Sequence, residues 1–158
     1  MIRKMLNKAK GGSSQEFSSK MEEAPVHDDV PAPQKPVRPA FQPKDLDTPV
    51  KPNWCPGCGN FGIWFALKNA LSRLGLPREQ YLIVGGIGCH GHMTNFVNTY
   101  NFEGLHGRPI PVAEGVKLAN DRLKVIVVAG DGDTYGEGLN HFLAGLRANH
   151  DVTLLVHN

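Results

Sequence analysis

The amino-acid sequence predicts an α/β fold: a partial doubly wound parallel sheet, preceded by a disordered N-terminal arm. Three observations predict it. Apolar runs recur at Tyr81–Val84, Lys124–Ala129 and Val152–Val156, and strands that read as continuous apolar runs belong to sheets covered on both faces. Segments of helical spacing accompany them. Glycine-rich stretches that carry reactive side chains follow two of the strands directly, Gly85–Gly91 and Gly130–Asp133. In open parallel sheets ligands bind beyond the carboxyl ends of the strands.

The elements follow in order. Residues 1–45 read as a flexible arm rich in Pro, Ser and charge, and 46–52 as an extended lead-in. Together they hold eight of the twelve prolines (Pro25, Pro31, Pro33, Pro36, Pro39, Pro43, Pro49 and Pro52) and few large apolar residues. Such a stretch buries too little apolar surface to offset its ordering entropy. The folded domain is expected over 53–158. From Phe61 to Leu74, apolar residues at 63, 64, 67, 70, 71 and 74 give helical spacing, and Gly75 then Pro77 end it. Tyr81–Val84 is a short buried strand ending in Gly85-Gly86. Lys124–Ala129 is a second strand, rich in β-branched residues. Leu139–Ala148 has apolar residues at 139, 142, 143 and 146 and reads as a helix, and Val152–Val156 is a third strand.

Composition excludes several classes. Lys and Arg number 17 against 15 Asp and Glu, a net charge of +2, which gives no electrostatic case for nucleic acid. The basic start Met1–Leu6 is not followed by the apolar core of a secretory signal. No apolar run approaches a membrane span, so no membrane association is expected. Three cysteines without export features suit a reducing, cytoplasmic setting and metal or redox use.

Trp54-Cys55-Pro56-Gly57-Cys58-Gly59 is a Cys-x-x-Cys hairpin, and its Pro-Gly pair favours a tight turn. Cys89 lies in the glycine-rich loop after the first strand. Three thiolates aimed at one place suit a cubane iron–sulfur cluster, or zinc with His90 or His92 completing the set. A thioredoxin-like pair should follow a strand, whereas here a proline-rich coil precedes and a helix follows. The remaining alternative is three small buried hydrophobes. An iron–sulfur cluster is preferred, and its fourth ligand must come from elsewhere.

Gly86-Ile87-Gly88-Cys89-His90-Gly91 matches the G-x-G-x-x-G pattern of dinucleotide sites. The expected helix does not follow cleanly, because Asn95, Asn98, Thr99 and Asn101 interrupt the spacing, and no strand ending in an acid is evident downstream. Gly130-Asp131-Gly132-Asp133 is sharper. Glycines let the backbone turn off the strand, and the Asp offers a hard oxygen ligand for Mg²⁺. One helix and one strand then bring Asn158 back beside that turn.

Taken together, these stretches resemble the thiamine-diphosphate-binding beta subunit of 2-oxoacid:ferredoxin oxidoreductases. The resemblance rests on Trp54–Gly59, Gly86–Cys89, Leu105-His106-Gly107-Arg108, Pro111–Asn120, Gly130–Asp133, Asn140-His141 and Arg147-Ala148-Asn149. The Trp-Cys-Pro-Gly-Cys-Gly form leans toward 2-oxoglutarate-type or broad-range members rather than the pyruvate type.

The resemblance implies an incomplete thiamine-diphosphate-binding domain over 53–158. It implies that Cys55, Cys58 and Cys89 ligate a [4Fe-4S] cluster, with a fourth cysteine beyond Asn158. Asp131 would bind the Mg²⁺ of the diphosphate, in a motif formed with Gly130, Gly132, Asp133 and Asn158. The metal-ligating Asn would be the residue after Asn158. Ile87, Gly88 and Cys89 would lie near the cofactor ring, and His106 and Arg108 would help build the pocket. His92 stands where the family often has Lys or Arg. The implied reaction is coenzyme-A-dependent oxidative decarboxylation of a 2-oxoacid, 2-oxoglutarate or pyruvate, with electrons passing to ferredoxin. The implied partner is an alpha subunit, and this stretch alone is expected to be inactive. No catalytic base is assigned. A different thiamine-diphosphate enzyme, such as a decarboxylase, would share the Gly-Asp-Gly turn without needing the cysteines. A zinc-stabilised binding module would share the cysteines without needing that turn.

Overall fold

The computed structural model describes residues 41–158, so the expected arm lies outside the described residues as far as residue 40. Four strands, β1 (Tyr81–Gly85), β2 (Tyr100–Glu103), β3 (Lys124–Gly130) and β4 (Val152–His157), form one sheet in the order β2-β1-β3-β4. All three pairings are parallel. Four helices accompany them: α1 (Asn60–Leu74), α2 (Met93–Phe96), α3 (Pro109–Ala119) and α4 (Leu139–Ala148).

The period-2 alternation of strand side chains divides the core. Tyr81, Ile83, Ile126 and Val128 face one layer with Leu67 and Leu71 of α1 and with Met93 and Phe96 of α2. Leu82, Val84, Val125, Val127 and Ala129 face the other, with Ile110 and Ala113 of α3 and Phe142 of α4. Helices therefore cover both faces, as the apolar runs predict. The strong strand β3 sits in the middle, buried from Val125 to Gly130.

α1 ends as expected at Gly75, which takes a left-handed conformation. Three elements are absent from the sequence prediction. β2 is an edge strand whose four residues, Tyr-Asn-Phe-Glu, are all exposed, so no apolar run marks it. α2 is only four residues long. α3 begins with Pro109 and contains Pro111 and Gly115, residues that ordinarily break a helix. Both prolines fall in the first turn, where the missing N–H groups have no intrahelical acceptor anyway. Because β2 ends in Glu103 beside β1, a strand ending in an acid does follow the Gly86–Gly91 loop. The stretch after that loop forms only α2, so no extended helix opens there.

The body also begins earlier than residue 53. Pro43–Leu46 forms a 3₁₀ turn, and Leu46 is fully buried. Phe41 packs edge-on against Tyr81, with ring centroids 6.3 Å apart. Ser72 Oγ donates to the Phe41 carbonyl at 2.7 Å. The Lys68 ammonium pairs with Asp47 and lies over the Trp64 ring. No helix among the described residues is long and apolar enough to cross a membrane.

Truncating Leu46→Ala should destabilise the folded body by about 3 kcal/mol, the usual cost of deleting a buried Leu side chain. Urea unfolding measures it, and a loss below about 0.5 kcal/mol, typical of a surface change, would remove this segment from the core.

Candidate cofactor site

Because all four strands run the same way, their carboxyl ends share one edge of the sheet. β1 delivers Gly86–His92 there, β2 delivers Gly104–Arg108, β3 delivers Asp131 and Gly132, and β4 delivers His157 and Asn158. Backbone bonds fix the exits: Gly86 N–H donates to Val128 O, and Gly104 N–H to Gly85 O, both at 3.0 Å. The chain leaves β3 through a π-helical turn, Gly132–Gly136, closed by Glu137 N–H to Gly132 O at 2.8 Å. Single π turns recur at functional sites.

Asp133 lies inside that turn and is 1% exposed. Its carboxylate meets four donors from two other loops. His90 Nε2 lies 2.7 Å from Oδ2, while His106 Nδ1 and the Gly107 N–H lie 2.5 and 2.9 Å from Oδ1. The Ile87 N–H is the fourth. Burial by itself would raise the carboxyl pKa. The bonds from Gly107, His106, His90 and Ile87 outweigh it and hold the group below the ordinary Asp value. Asp133 is thus an ionised buried acceptor that ties together the loops after β1, β2 and β3.

Two glycines make room for this. A Cβ on Gly86 would fall 2.0 Å from Asp133 Oδ2, a clash no rotamer relieves, because Asp133 is held from four sides. Gly107 takes φ +70° and presses against the Glu137 backbone, which turns its N–H toward Asp133.

Sequence reasoning groups Asp133 with the cofactor-binding residues. Its oxygens are instead taken up by protein donors, which leaves Asp131 as the outward acid of the pair. Asp131 is exposed at the mouth, and no side-chain hydrogen bond or ion pair engages its carboxylate among the described residues. A hard, free carboxylate at a strand end suits a divalent cation carrying a diphosphate. Gly130 is buried; Ile87, Gly88, Gly132 and Asn158 are exposed around the same edge. His106 is half-exposed there. Arg108 is exposed, and its guanidinium donates to the carbonyls of Gly107 and Glu137 at 3.3 and 3.4 Å.

A second histidine network escapes sequence reasoning. His157 Nδ1 lies 2.8 Å from Asn60 Oδ1, and its ring centroid is 5.8 Å from that of His90. Burial, then the neighbouring His90, hold His157 below the ordinary histidine range. Asn60 is the first residue of α1, two residues after Cys58, so this pair joins β4 to the cysteine hairpin. Only proximity in the fold reveals it.

The hairpin turns tightly, with Cys58 N–H on Cys55 O at 3.0 Å. The buried Trp54 donates its indole N–H to the Cys89 carbonyl at 2.5 Å, which fastens the hairpin to the loop carrying the third cysteine. All three thiols are free; Cys55 and Cys89 are exposed and Cys58 is partly buried. Among the described residues, no group of three or more Cys, His, Asp or Glu side chains is arranged around a single metal ion. His90, a candidate fourth ligand for zinc, is committed to Asp133. Three thiols carried on two segments joined by this tether are a soft donor set, the kind that iron–sulfur clusters and zinc take.

A parallel sheet with covered faces, strand-end loops meeting at one mouth and a free carboxylate off a central strand make an open α/β domain of the class that binds ligands beyond its strand ends. Comparison narrows this class. Residues 77–158 match the family described as thiamine pyrophosphate enzyme, C-terminal TPP binding domain, and the chain belongs to that family. It is 52% identical over 112 residues to 2-oxoacid:ferredoxin oxidoreductase 2, subunit beta, of Aeropyrum pernix, a match covering 71% of this chain and 36% of that protein. It is 42% identical over 115 residues to the 2-oxoglutarate oxidoreductase subunit KorB of Mycobacterium tuberculosis, covering 73% and 31%. Its fold superposes on 2-oxoglutarate:ferredoxin oxidoreductase from Magnetococcus marinus, solved with 2-oxoglutarate, coenzyme A and succinyl-CoA bound. The TM-score is 0.72 at 38% identity, over 73% of this chain and 40% of that one. The chain spans about a third of the length of these curated relatives. The resemblance expected from the motifs is therefore found, and the doubly wound fold with it.

The lowered pKa of Asp133 carries a sign. The unfolded state binds its proton near the ordinary Asp value, about 3.9, and the folded state only below that. The contribution is thus complete above about pH 4 and is lost as pH falls through the folded value. Asp133→Asn should lower stability at neutral pH by about 3 kcal/mol, since the amide presents hydrogens to buried donors. It should also flatten the acid limb of a stability–pH curve from denaturant unfolding. An unchanged acid limb would show that the carboxylate does not hold the loops.

Proposed function

We propose that this chain is part of the beta subunit of a 2-oxoacid:ferredoxin oxidoreductase, which decarboxylates a 2-oxoacid oxidatively, transfers the acyl group to coenzyme A and passes electrons to ferredoxin. The observation that carries this reading is the free Asp131 carboxylate at the end of β3, set in a domain of the thiamine pyrophosphate family. The cysteine hairpin fastened through Trp54 to the Cys89 loop beside the same mouth supports it. A relative named for 2-oxoglutarate, and a solved relative with 2-oxoglutarate and succinyl-CoA bound, favour 2-oxoglutarate over pyruvate.

In this reading Asp131 ligates the Mg²⁺ that carries the diphosphate, and Asn158 lies in the same motif. Ile87, Gly88 and Cys89 face the cofactor ring. His106 and Arg108 wall the pocket. Cys55, Cys58 and Cys89 hold three corners of a [4Fe-4S] cluster. When bound, thiamine diphosphate supplies the electron sink for decarboxylation and the cluster a one-electron outlet. The chain's own contribution is placement: Asp133 sets the loop positions, and Trp54 keeps the cysteine hairpin against the loop after β1. The alpha subunit and ferredoxin are the partners.

The test is anaerobic purification of the full-length polypeptide with its alpha partner. The complex should contain iron, sulfide and thiamine diphosphate, and should reduce ferredoxin only with both 2-oxoglutarate and coenzyme A. Cys55→Ser should lose most of the iron while thiamine diphosphate remains. A complex with thiamine diphosphate but no iron would overturn the reading in favour of a non-oxidative decarboxylase.

A further inference from the structure

The imidazole of His106 has one nitrogen against Asp133 and the other near Gly132. Oδ1 of Asp133 already accepts the Gly107 N–H at 2.9 Å, so it meets its other neighbour as an acceptor. The contact at 2.5 Å therefore requires Nδ1 of His106 to carry the hydrogen. In the neutral ring Nε2 is then a bare lone pair. The side chain is 48% exposed. A Cβ at Gly132 would meet its Cε1 at 3.6 Å and its Nε2 at 3.8 Å, so the lone pair lies beside the turn that carries Asp131.

We propose that Asp133 is a positioning residue that fixes His106 as the Nδ1–H tautomer, and that Nε2 accepts a hydrogen bond from water in the coordination sphere of the divalent cation held by Asp131. Mg²⁺ dehydrates reluctantly and keeps several waters, and groups that orient those waters tune affinity as the direct ligands do. A lone pair serves this purpose, whereas an N–H would oppose the hydrogens of a metal-bound water. The inference rests on the proposed function for the cation but not for the tautomer, which Asp133 sets with no cofactor bound.

The full-length complex labelled with ¹⁵N-histidine tests both parts, with the His106 resonances assigned by their loss in His106→Gln. Before cofactor is added, the His106 nitrogen shifts should report Nδ1–H, and in Asp133→Asn, whose amide can turn either its oxygen or its hydrogens to the ring, that single tautomer should be lost. Mn²⁺ affinity, measured by electron paramagnetic resonance with thiamine diphosphate present, should fall about tenfold or more in His106→Ala. It should stay within about threefold of wild type in His106→Gln, whose amide oxygen also accepts. An Nε2–H tautomer in the wild type overturns the proposal, as does unchanged Mn²⁺ affinity in His106→Ala. If Asp133→Asn does not fold, the His106 variants and the wild-type tautomer still decide it. A wild type that shows the Nδ1–H tautomer but binds no Mn²⁺ with thiamine diphosphate overturns the cation role, and the proposed function with it.

Discussion

The structure depends on one buried negative charge. An ionised carboxylate with almost no access to water is tolerated only if its hydrogen-bonding capacity is filled. Asp133 fills it with donors from the loops after β1 and β2 while standing on the loop after β3. Three segments far apart in sequence are thereby held at fixed separation at one edge of the sheet. Hydrophobic packing could not do this, because it is non-directional and the strand-end loops contribute little apolar surface. The sheet brings the loops to one edge, and the carboxylate decides how they face.

That division of labour explains the pairing of the two acids in Gly130-Asp131-Gly132-Asp133. They are two residues apart, yet one is exposed and the other fully buried. The π turn that starts at Gly132 drives the chain inward immediately after Asp131. The outward carboxylate stays free of protein partners among the described residues, while the inward one satisfies the loops. Gly86, just past the end of the neighbouring strand β1, completes the arrangement by leaving the space that the inward carboxylate occupies.

Much of this was legible in the sequence, and unevenly so for physical reasons. β1 and β3 announce themselves because burial on both faces leaves unbroken apolar runs, and β4 reads as an apolar run although it is a partly buried edge strand. α1 and α4 announce themselves through helical spacing. β2 is silent because an exposed edge strand needs no apolar residues, and α3 is hidden because its prolines sit where a helix tolerates them. Phe41 and Leu46 are isolated apolar residues in a proline-rich stretch, and their burial depends on tertiary partners no local pattern specifies. At the site, Asp131, the cysteines and the glycine turns are visible as motifs. The inward role of Asp133 and the His157–Asn60 bond are not, since each joins residues related only by the folded sheet.

The central claim is that the strand-end mouth holds thiamine diphosphate through a cation on Asp131. Calorimetric titration of thiamine diphosphate into the cofactor-free, full-length complex tests it most directly, with and without Mg²⁺, in wild type and Asp131→Ala. The account expects tight binding only when Mg²⁺ is present, and at least about a tenfold loss of affinity in Asp131→Ala, since even residues behind the metal ligands cost that much. Binding that is indifferent both to Mg²⁺ and to Asp131 would contradict it.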